Sequence, residues 1–323
     1  MPERAARGPW AALELGNGEL AVALLPEKGC DIVEVVDSRT GVDVMLRTPW
    51  GFGRPPVAAS SSFERWLEAY SGGWQVLLPN GGDAVDDGHG IEWGFHGEAG
   101  IAPWRVERHG ADSASLATAL VSAPLELERD LRLVGRALEI VERVRNAGDA
   151  PIDVMWGHHP AFGVPLIEPG AVITTSARTF VADSRAPGAG LAPGARSHWP
   201  HAALADGGTI DLSVIPPAAE ARAVLGYLTG FERGEYTIAN ARLGLAATLA
   251  WPLELFPSAW FWQELAASPG YPWFGRLYTT AIEPNTTFPG QGIARARAQG
   301  GVPLALAAGA TREARLVLTL ADA

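Results

Sequence analysis

The sequence predicts an all-β protein built from large antiparallel sheets, with a few short helices. Three observations support this: apolar and polar residues mostly alternate, Gly and Pro turns separate the alternating segments, and only one segment has clear helical spacing. The chain has 323 residues, of which 47% are hydrophobic, so it can bury a large core. No break in composition divides it. We therefore expect a single β-sandwich domain over residues 1–323.

The N-terminal part of the chain predicts a β-hairpin. In residues 12–15 and 19–24 a large apolar side chain recurs at every second position, and Gly16-Asn17-Gly18 separates the two segments. Asn and Gly in this position are typical of the tight turn that joins two antiparallel strands. The hairpin is the first element of the predicted sheets.

The clearest alternation lies in the middle of the chain, over residues 125–133. The leucines share one parity, and Glu126, Glu128, Asp130 and Arg132 share the other. The pattern resumes over residues 138–145 after a turn at Gly135. Residues 304–320 repeat it at the C-terminus, on both sides of Gly309. Such segments predict strands with one buried face and one solvated face.

One segment has the spacing of an amphipathic helix. Its apolar residues follow the i, i+3, i+4, i+7 pattern: Phe63, Trp66, Leu67 and Tyr70. Ser61 and Glu64 match a capping box at the start, and Gly72-Gly73 predicts the end. By contrast, residues 185–200 are rich in Pro, Gly and Ala and predict a long loop, which in a compact domain is often functional.

Composition excludes several classes of protein. The formal net charge is −11 and no basic patch is interleaved with aromatic residues, which argues against binding nucleic acid or an anionic membrane. The single cysteine, Cys30, excludes an internal disulfide framework. No apolar signal segment and no run of about 18 apolar residues is present. We expect a soluble cytoplasmic protein, either a monomer or a homodimer.

Twelve tryptophans are present in the chain. A tryptophan offers a flat apolar face with an N–H donor at its edge, and a sugar ring offers one face of C–H groups and a rim of hydroxyls. The enrichment is therefore compatible with carbohydrate binding. Packing in the core is the alternative interpretation for most of the twelve.

Two polar interruptions of apolar segments are the strongest candidates for chemistry. His158 and His159 follow the largely apolar residues 152–156, and Glu283 ends another apolar run directly before Pro284. A carboxylate near apolar walls has a raised pKa, which suits a general base. A histidine and a glutamate held on strands can divide the acid and base roles that sugar ring opening requires. Each could instead be a hydrogen-bonded structural group.

Neighbouring residues of a strand point to opposite faces, so His158 and His159 are not expected to enter the same pocket. One of the two is then structural. His96 is a further candidate, because Gly97 beside it allows the close backbone approach that suits a loop in contact with a ligand.

Other chemistries have weaker support. The residues His89, His96, His158, His159 and Glu283 could bind a metal, but no HxH or HExxH spacing is present. The chain has no GxSxG nucleophile elbow, no P-loop and no strand-linked GxGxxG. Glycoside hydrolysis by paired carboxylates stays open, with Glu98, Glu264 and Glu283 as the possible partners.

Taken together, the motifs resemble the aldose 1-epimerase family, also called galactose mutarotase-like proteins. They occur in order along nearly the whole chain: Gly72-Gly73-Trp74-Gln75 with Pro79-Asn80, Phe95-His96-Gly97, His158-His159-Pro160-Ala161-Phe162, Trp199-Pro200 and Ile282-Glu283-Pro284. The resemblance implies a β-supersandwich. It also implies a cofactor-free isomerase that interconverts the α and β anomers of a free aldose.

The resemblance also implies roles for individual residues. His159 matches the general acid and His158 replaces the asparagine before it, while Glu283 matches the general base. His96 matches a histidine that contacts sugar hydroxyls. The remaining candidates for sugar binding are His158, Trp74, Asn80, Trp262 and Gln263.

Two departures from the family pattern concern the sugar. Many members carry a sugar-binding arginine where this chain has Gly81-Gly82, and the tyrosine that follows the acid is Ala161 here. These changes do not remove the acid–base pair. They do remove the basis for expecting the usual specificity for galactose or glucose, so the sequence does not identify the sugar. A non-catalytic sugar-binding protein and a hydrolase or lyase of glycosidic bonds are the alternatives.

Overall fold

The alternating segments form the strands of antiparallel sheets. The computed structural model describes residues 6–55, 61–86, 90–217 and 219–323. Its helices are α1 (Ser62–Ala69) and α2 (Ile293–Ala298). Its strands are β1 (Ala6–Arg7), β2 (Trp10–Ala11), β3 (Leu13–Gly16), β4 (Leu20–Leu25), β5 (Asp31–Asp37), β6 (Val42–Asp43), β7 (Trp74–Leu77), β8 (Val85–Asp86), β9 (Glu92–Trp93), β10 (Arg105–His109), β11 (Ser113–Ala119), β12 (Leu125–Val134), β13 (Ala137–Asn146), β14 (Ile152–Val154), β15 (Gly157–Gly163), β16 (Val172–Thr175), β17 (Thr179–Ala182), β18 (Arg196–His198), β19 (His201–Ala203), β20 (Thr209–Asp211), β21 (Arg222–Thr229), β22 (Glu235–Asn240), β23 (Leu245–Ala250), β24 (Ser258–Leu265), β25 (Tyr278–Asn285), β26 (Leu304–Leu306) and β27 (Thr311–Ala321).

Two large sheets dominate this part of the chain. An 11-stranded sheet has the order β18-β17-β21-β24-β25-β15-β7-β5-β4-β3, with β6 paired to β5. An 8-stranded sheet has the order β10-β11-β12-β13-β27-β23-β22-β16. A single apolar cluster draws side chains from both, including Leu24 and Trp74 from the larger sheet and Leu131 from the smaller one. The predicted all-β architecture of stacked antiparallel sheets is confirmed.

The predicted strands appear with small changes in their bounds. The hairpin forms as β3 and β4, and the central alternation forms as β12 and β13, which pair along their whole length. In β12 the leucines are buried and most of the intervening charged residues are exposed. The C-terminal strands form too, but β26 pairs with β14, whereas β27 lies between β13 and β23.

Helix α1 has the predicted N-terminal cap. The Ser61 hydroxyl accepts from the Glu64 N–H at 3.2 Å, which satisfies one of the unpaired donors of the first turn. The helix ends at Ala69, before Gly72, and buries Trp66 and Leu67. The capping pattern and the apolar spacing therefore predicted this element correctly.

The prediction of a long loop over residues 185–200 is partly wrong. Near the end of this segment the chain forms strand β18, which pairs with β17. The polar residues predicted at strand ends are also placed differently. His158 and His159 lie inside β15, and Glu283 lies inside β25. Both strands are buried on their two faces and therefore read as continuous apolar runs. A polar residue in such a run can lie inside the strand, and here it does not mark the strand end.

A buried ion pair links the middle strands of the smaller sheet to the core. Arg129 on β12 donates to Glu142 on β13 at 2.7 Å, and both side chains are at most 1% exposed. The Trp156 Nε1–H donates to the other oxygen of Glu142 at 2.8 Å. Although burial raises the pKa of Glu142, Arg129 and His158 hold it below its usual value. The carboxylate therefore stays charged in the core.

Among the described residues, no helix has both the length and the apolar character needed to cross a membrane.

Removal of the Arg129 side chain tests how much this pair contributes. We expect Arg129→Met to lower the free energy of unfolding by about 3–5 kcal/mol, because it leaves the Glu142 charge buried without its cation. Urea denaturation followed by tryptophan fluorescence measures the loss.

The matched control is Arg145→Met on the neighbouring strand. Arg145 donates to Glu126 at 2.7 Å across the same two strands, but both side chains are about half exposed. The control should cost no more than about 1 kcal/mol, since solvent screens an exposed pair. Equal losses for the two variants would contradict the importance of the buried pair.

Candidate functional site

Three neighbouring strands of the larger sheet, β24, β25 and β15, place a row of side chains on one face. Trp260 on β24 pairs with Glu283 on β25. The pairs Gly157–Asn285 and Ala161–Ala281 set the register of β15 against β25, so His159 lies opposite Glu283. Residues opposite each other on antiparallel strands project to the same face. The histidine and the glutamate, separated by more than 120 residues of chain, are thus brought together by strand pairing.

The two side chains are close enough to exchange a proton through a small shift or a bridging hydroxyl. Nε2 of His159 lies 3.6 Å from Oε1 of Glu283. His159 is 5% exposed and Glu283 is 3% exposed. Oε2 of Glu283 is buried and accepts no hydrogen bond from the described residues. One oxygen of the carboxyl group is therefore free to bind a polar group of a substrate.

Burial favours the neutral form of both groups. It raises the pKa of Glu283 well above its usual value. Burial, together with the positive charge of Lys28, lowers the pKa of His159 to about 4. The pair therefore favours a single proton, held on the carboxyl group, and an unprotonated imidazole. One proton shared by two groups provides one acid and one base.

A buried ion pair lies behind this row. Nζ of Lys28 is 2.5 Å from Oδ2 of Asp31, and the amide of Gln75 donates to the same oxygen at 2.9 Å. Gln75 is the strand partner of His159 on β7. Lys28 also lies 5.8 Å from the ring centroid of Trp66. The cation is therefore placed behind the pocket wall, where it disfavours a positive charge on His159.

His159 and Glu283 open onto a pocket of about 250 Å³ with largely aromatic walls. Helix α1 contributes one wall with Phe63, Trp66, Leu67 and Tyr70. The other lining residues are Gly82, Asp83, Phe95, His96, Leu225, Trp260, Trp262, Pro272, Trp273 and Gly290. Flat aromatic faces beside a few polar groups suit a ring that has both C–H faces and hydroxyls.

His96 lines the pocket in a strained backbone conformation, with φ of 58°. The Gly82 N–H donates to its Nδ1 at 3.1 Å, so the Nε2 atom carries the proton of the neutral ring. Burial lowers the pKa of His96 well below its usual value, which keeps the ring neutral. Gly97 is expected from the sequence to allow a ligand to approach the backbone. In the structure it allows the backbone of Leu78 to approach instead, because a Cβ on Gly97 would lie 2.3 Å from the Leu78 carbonyl oxygen.

Trp260 occupies the space next to Gly81, one of the two glycines at the position of the expected arginine. A Cβ on Gly81 would lie 2.4 Å from the Trp260 ring, and a Cβ on Gly290 would lie 2.7 Å from it. The indole is thus held between two positions that must lack side chains. An aromatic surface takes the place of a cation in this part of the pocket.

Two of the predicted sugar contacts, Trp74 and His158, lie on the opposite face of the sheet and do not line the pocket. The Trp74 Nε1–H donates to Nδ1 of His158 at 3.3 Å, and both side chains pack between the sheets. Nε2 of His158 is 3.9 Å from the Glu142 carboxylate. Side chains alternate along a strand, so His158 and His159 project to opposite faces. Trp74 projects to the same face as His158 and therefore does not reach the pocket.

Two further predicted contacts, Asn80 and Gln263, do not line the pocket either. The Asn80 amide donates to the Asp83 and Gly94 carbonyls and accepts from the Ile293 N–H, so its polar atoms already have backbone partners. Gln263 is fully buried and has the same strand parity as Phe261, which packs against Phe180. His96 and Trp262 do line the pocket.

The other predicted chemistries find no support in the described residues. No group of three or more His, Cys, Asp or Glu side chains there could hold a metal ion, and His89 lies outside the described residues. Glu98 accepts from the Val121 and Ser122 N–H groups, and Glu264 accepts from the Ala267 and Ser268 N–H groups. Neither of these two carboxylates lines the pocket.

Several lining residues were not predicted as functional from the sequence. Trp66 and Tyr70 were interpreted only as the apolar face of a helix, and Trp273 was not singled out. Trp260 lies in the candidate segment 260–264 and shares its strand parity with Trp262, whereas Gln263 does not, so parity favours Trp260 as a lining residue. The Tyr70 hydroxyl and the Trp66 Nε1–H are buried and have no partner among the described residues.

The buried carboxyl group should reduce the stability of the folded protein at neutral and alkaline pH. Burial raises the pKa of Glu283 in the folded state above its ordinary value of 4.5. The contribution of Glu283 to stability is therefore complete below pH 4.5 and is lost as the pH rises and the buried carboxyl group must ionise. We expect Glu283→Gln to become more stable relative to the wild type as the pH rises above about 4.5, by up to about 1.4 kcal/mol per pH unit.

Urea unfolding at several pH values measures this difference. Glu254→Gln is the matched control, since Glu254 is an exposed residue that does not line the pocket. A difference between Glu283→Gln and the wild type that stays constant with pH would show that the Glu283 pKa is not raised.

Comparisons with known proteins agree with this architecture. A family model described as domain of unknown function DUF4432 matches residues 9–320. No curated protein matches the chain. A solved structure from Synechocystis sp. PCC 6803 has a TM-score of 0.70 at 16% identity, and the match covers 100% of this chain and 99% of that one.

Two further structures carry descriptive names. A galactose mutarotase-like protein from Lactobacillus casei ATCC 334 has a TM-score of 0.67 at 16% identity, with coverage of 96% and 100% of the two chains. A galactose mutarotase related enzyme from Lactobacillus acidophilus has a TM-score of 0.66 at 17% identity, with coverage of 96% and 97%. At these identities the likeness concerns the fold. The chain belongs to the DUF4432 family, and its fold is that of the galactose mutarotase-like proteins.

Proposed function

We propose that the protein is an aldose 1-epimerase, which interconverts the α and β anomers of a free aldose or aldose derivative. The observation that carries the proposal is the distance of 3.6 Å between Nε2 of His159 and Oε1 of Glu283 inside a buried aromatic pocket. The fold and the names of similar structures support the same class of reaction, in which no cofactor is needed.

The reaction moves two protons and breaks one C–O bond. A base removes the proton of the C1 hydroxyl, an acid protonates the ring oxygen, and the C1–O bond to the ring opens to give the free aldehyde. Rotation about C1–C2 exposes the other face of the carbonyl. Ring closure then returns both protons, with the acid and the base in exchanged roles.

With one proton between them, Glu283 and His159 provide one acid and one base, whether the proton is on the histidine or on the carboxyl group. The resemblance assigns the base role to Glu283 and the acid role to a protonated His159. Burial instead favours a resting state in which the carboxyl group holds the proton and Nε2 of His159 accepts one. Because ring opening and closure use opposite roles, the pair needs only one mobile proton in total.

The walls of the pocket provide contacts for the rest of the sugar. Trp262, Trp260 and Trp66 present apolar faces for the C–H groups of the ring. Nε2–H of His96 and the hydroxyl of Tyr70 are available to sugar hydroxyls. Leaving a buried polar group without a partner costs about 1–3 kcal/mol, which favours a ligand that supplies one.

Substitution of the acid–base pair tests the proposal. Anomer exchange is measured by NMR on a panel of free aldoses that includes deoxy, amino and acidic sugars. We expect Glu283→Gln and His159→Asn each to lower the catalysed rate by about 10²- to 10⁴-fold, because each removes one proton-transfer group.

His158→Asn is the matched control, since it changes the neighbouring histidine on the opposite face. It should lose less activity than His159→Asn. The reverse order would exchange the roles of the two histidines. Binding of sugars without any acceleration of exchange in the wild type would indicate a sugar-binding protein instead of an epimerase.

The dependence of the rate on pH tests the protonation of the pair. His159 has a pKa lowered to about 4, so its protonation below that pH leaves the pair with two protons and no base. We expect kcat/KM to stay nearly constant around neutral pH and to fall as the pH drops through about 4. At high pH the rate should fall when Glu283 loses its proton.

Buffers catalyse mutarotation by themselves, so the rate with Glu283→Gln is subtracted at each pH. Circular dichroism at each pH identifies any loss caused by unfolding. An acid limb near pH 6.5, the ordinary pKa of histidine, would contradict the effect of burial on His159.

A further inference from the structure

We propose that a second pocket beside the catalytic one binds another saccharide unit of the substrate. This inference rests on the proposed function and extends it to a class of substrate. The second pocket has a volume of about 420 Å³. Leu67 and Pro272 line both pockets, so the two cavities lie on either side of a shared edge. We call it the accessory pocket.

Exposed aromatic side chains are concentrated at these two pockets. Among the described residues, the large aromatic residues with exposed side chains are Trp50, Phe63, Tyr271 and Phe274, at 40%, 38%, 60% and 59% exposure. Phe63 lines the catalytic pocket, and the other three line the accessory pocket. Exposed apolar surface gathered in one place marks a binding site.

The aromatic surface runs from one pocket to the other. Trp50 of the accessory pocket stacks on Trp273 of the catalytic pocket, with ring centroids 5.7 Å apart and planes 3° from parallel. Tyr271 and Phe274 lie on the same segment as Trp273. A ligand that extends out of the catalytic pocket therefore meets further flat faces that suit the C–H groups of a sugar.

The polar groups of the accessory pocket favour a saccharide over a purely apolar group. Arg54 donates to Oε1 of Glu68 at 3.3 Å, and both residues line the pocket. Oε2 of Glu68 is a buried acceptor without a partner among the described residues. A carboxylate beside aromatic faces matches a ring that offers hydroxyl donors at its rim.

The segment that carries Tyr271 and Phe274 is held in place by the body of the protein. Glu264 on β24 accepts from the Ala267 and Ser268 N–H groups where the segment begins. At its other end, Arg276 donates to the Pro49 carbonyl at 3.1 Å, next to Trp50. The accessory pocket is therefore formed before any ligand binds, which lowers the cost of binding.

The chemistry of the proposed reaction limits how the second unit is attached. Ring opening requires a free hydroxyl at C1, so C1 of the sugar in the catalytic pocket carries no second unit. The linkage must use another position of that ring. The ligand class is then the reducing end of a disaccharide or longer oligosaccharide.

The experiment compares each free aldose with its reducing disaccharides: glucose with maltose and cellobiose, xylose with xylobiose, and mannose with mannobiose. Binding is measured by calorimetry and anomer exchange by NMR, for the wild type and for Tyr271→Ser and Phe274→Asn. Asparagine is chosen because Phe274 has φ of 51°, which it tolerates. Val302→Ser, a change at a residue that is 78% exposed and lies outside both pockets, is the control.

We expect at least one disaccharide to bind more tightly than its monosaccharide. Tyr271→Ser and Phe274→Asn should weaken that binding by about fivefold to tenfold, the effect of losing one aromatic contact of about 1 kcal/mol. Binding and exchange of the monosaccharide should not change, and Val302→Ser should change neither.

Equal affinities for monosaccharide and disaccharide, or variants that weaken both equally, would overturn the accessory pocket and leave the epimerase proposal intact. Tighter disaccharide binding that the variants abolish, without any accelerated exchange, would support the pocket and contradict the epimerase. A monosaccharide with a benzyl group on a hydroxyl other than O1 is the last comparison. If it binds more tightly than every disaccharide, the occupant is an apolar substituent and not a saccharide.

Discussion

The register between β15 and β25 is the constraint on which the candidate site depends. It places His159 opposite Glu283 and leaves His158 on the other face, in the core. Side chains alternate along a strand, so a slip of one residue would remove the histidine from the pocket and bring its neighbour into it. Gly157 helps to fix the register, because the Asn285 side chain lies over it and would be 1.9 Å from a Cβ. Packing between strands therefore controls the chemistry of the pair.

The site combines groups that oppose folding with a core that compensates for them. A buried carboxyl group, three buried neutral histidines and a buried Lys28–Asp31 pair all lose hydration when the chain folds. The Arg129–Glu142 pair and the Trp156 N–H organise the polar part of the interior behind His158. Such unfavourable groups gathered at a pocket are typical of a site in which function has been retained at the expense of stability.

Aromatic side chains define the pocket more than charged ones do. Gly81 and Gly290 leave room for the Trp260 ring, and no lysine or arginine lines the catalytic pocket within the described ranges. Under the proposed function, recognition of a sugar depends on stacking and on a few hydrogen bonds to neutral groups. The exposed aromatic residues next to the pocket extend this surface toward solvent.

The sequence by itself determined the elements whose signals are local. Alternation predicted β12 and β13, the Ser61 cap predicted α1, and the parity of neighbouring residues separated His158 from His159. The motifs also identified Glu283, His159, His96 and Trp262, which line one pocket. Only the tertiary structure decided that Trp74, Asn80 and Gln263 lie outside the pocket, and that Trp66, Tyr70, Trp260 and Trp273 belong to it. The reason is physical: a motif fixes neither which face of a buried strand meets a cavity nor which helix covers it, because long-range strand pairing and packing decide both.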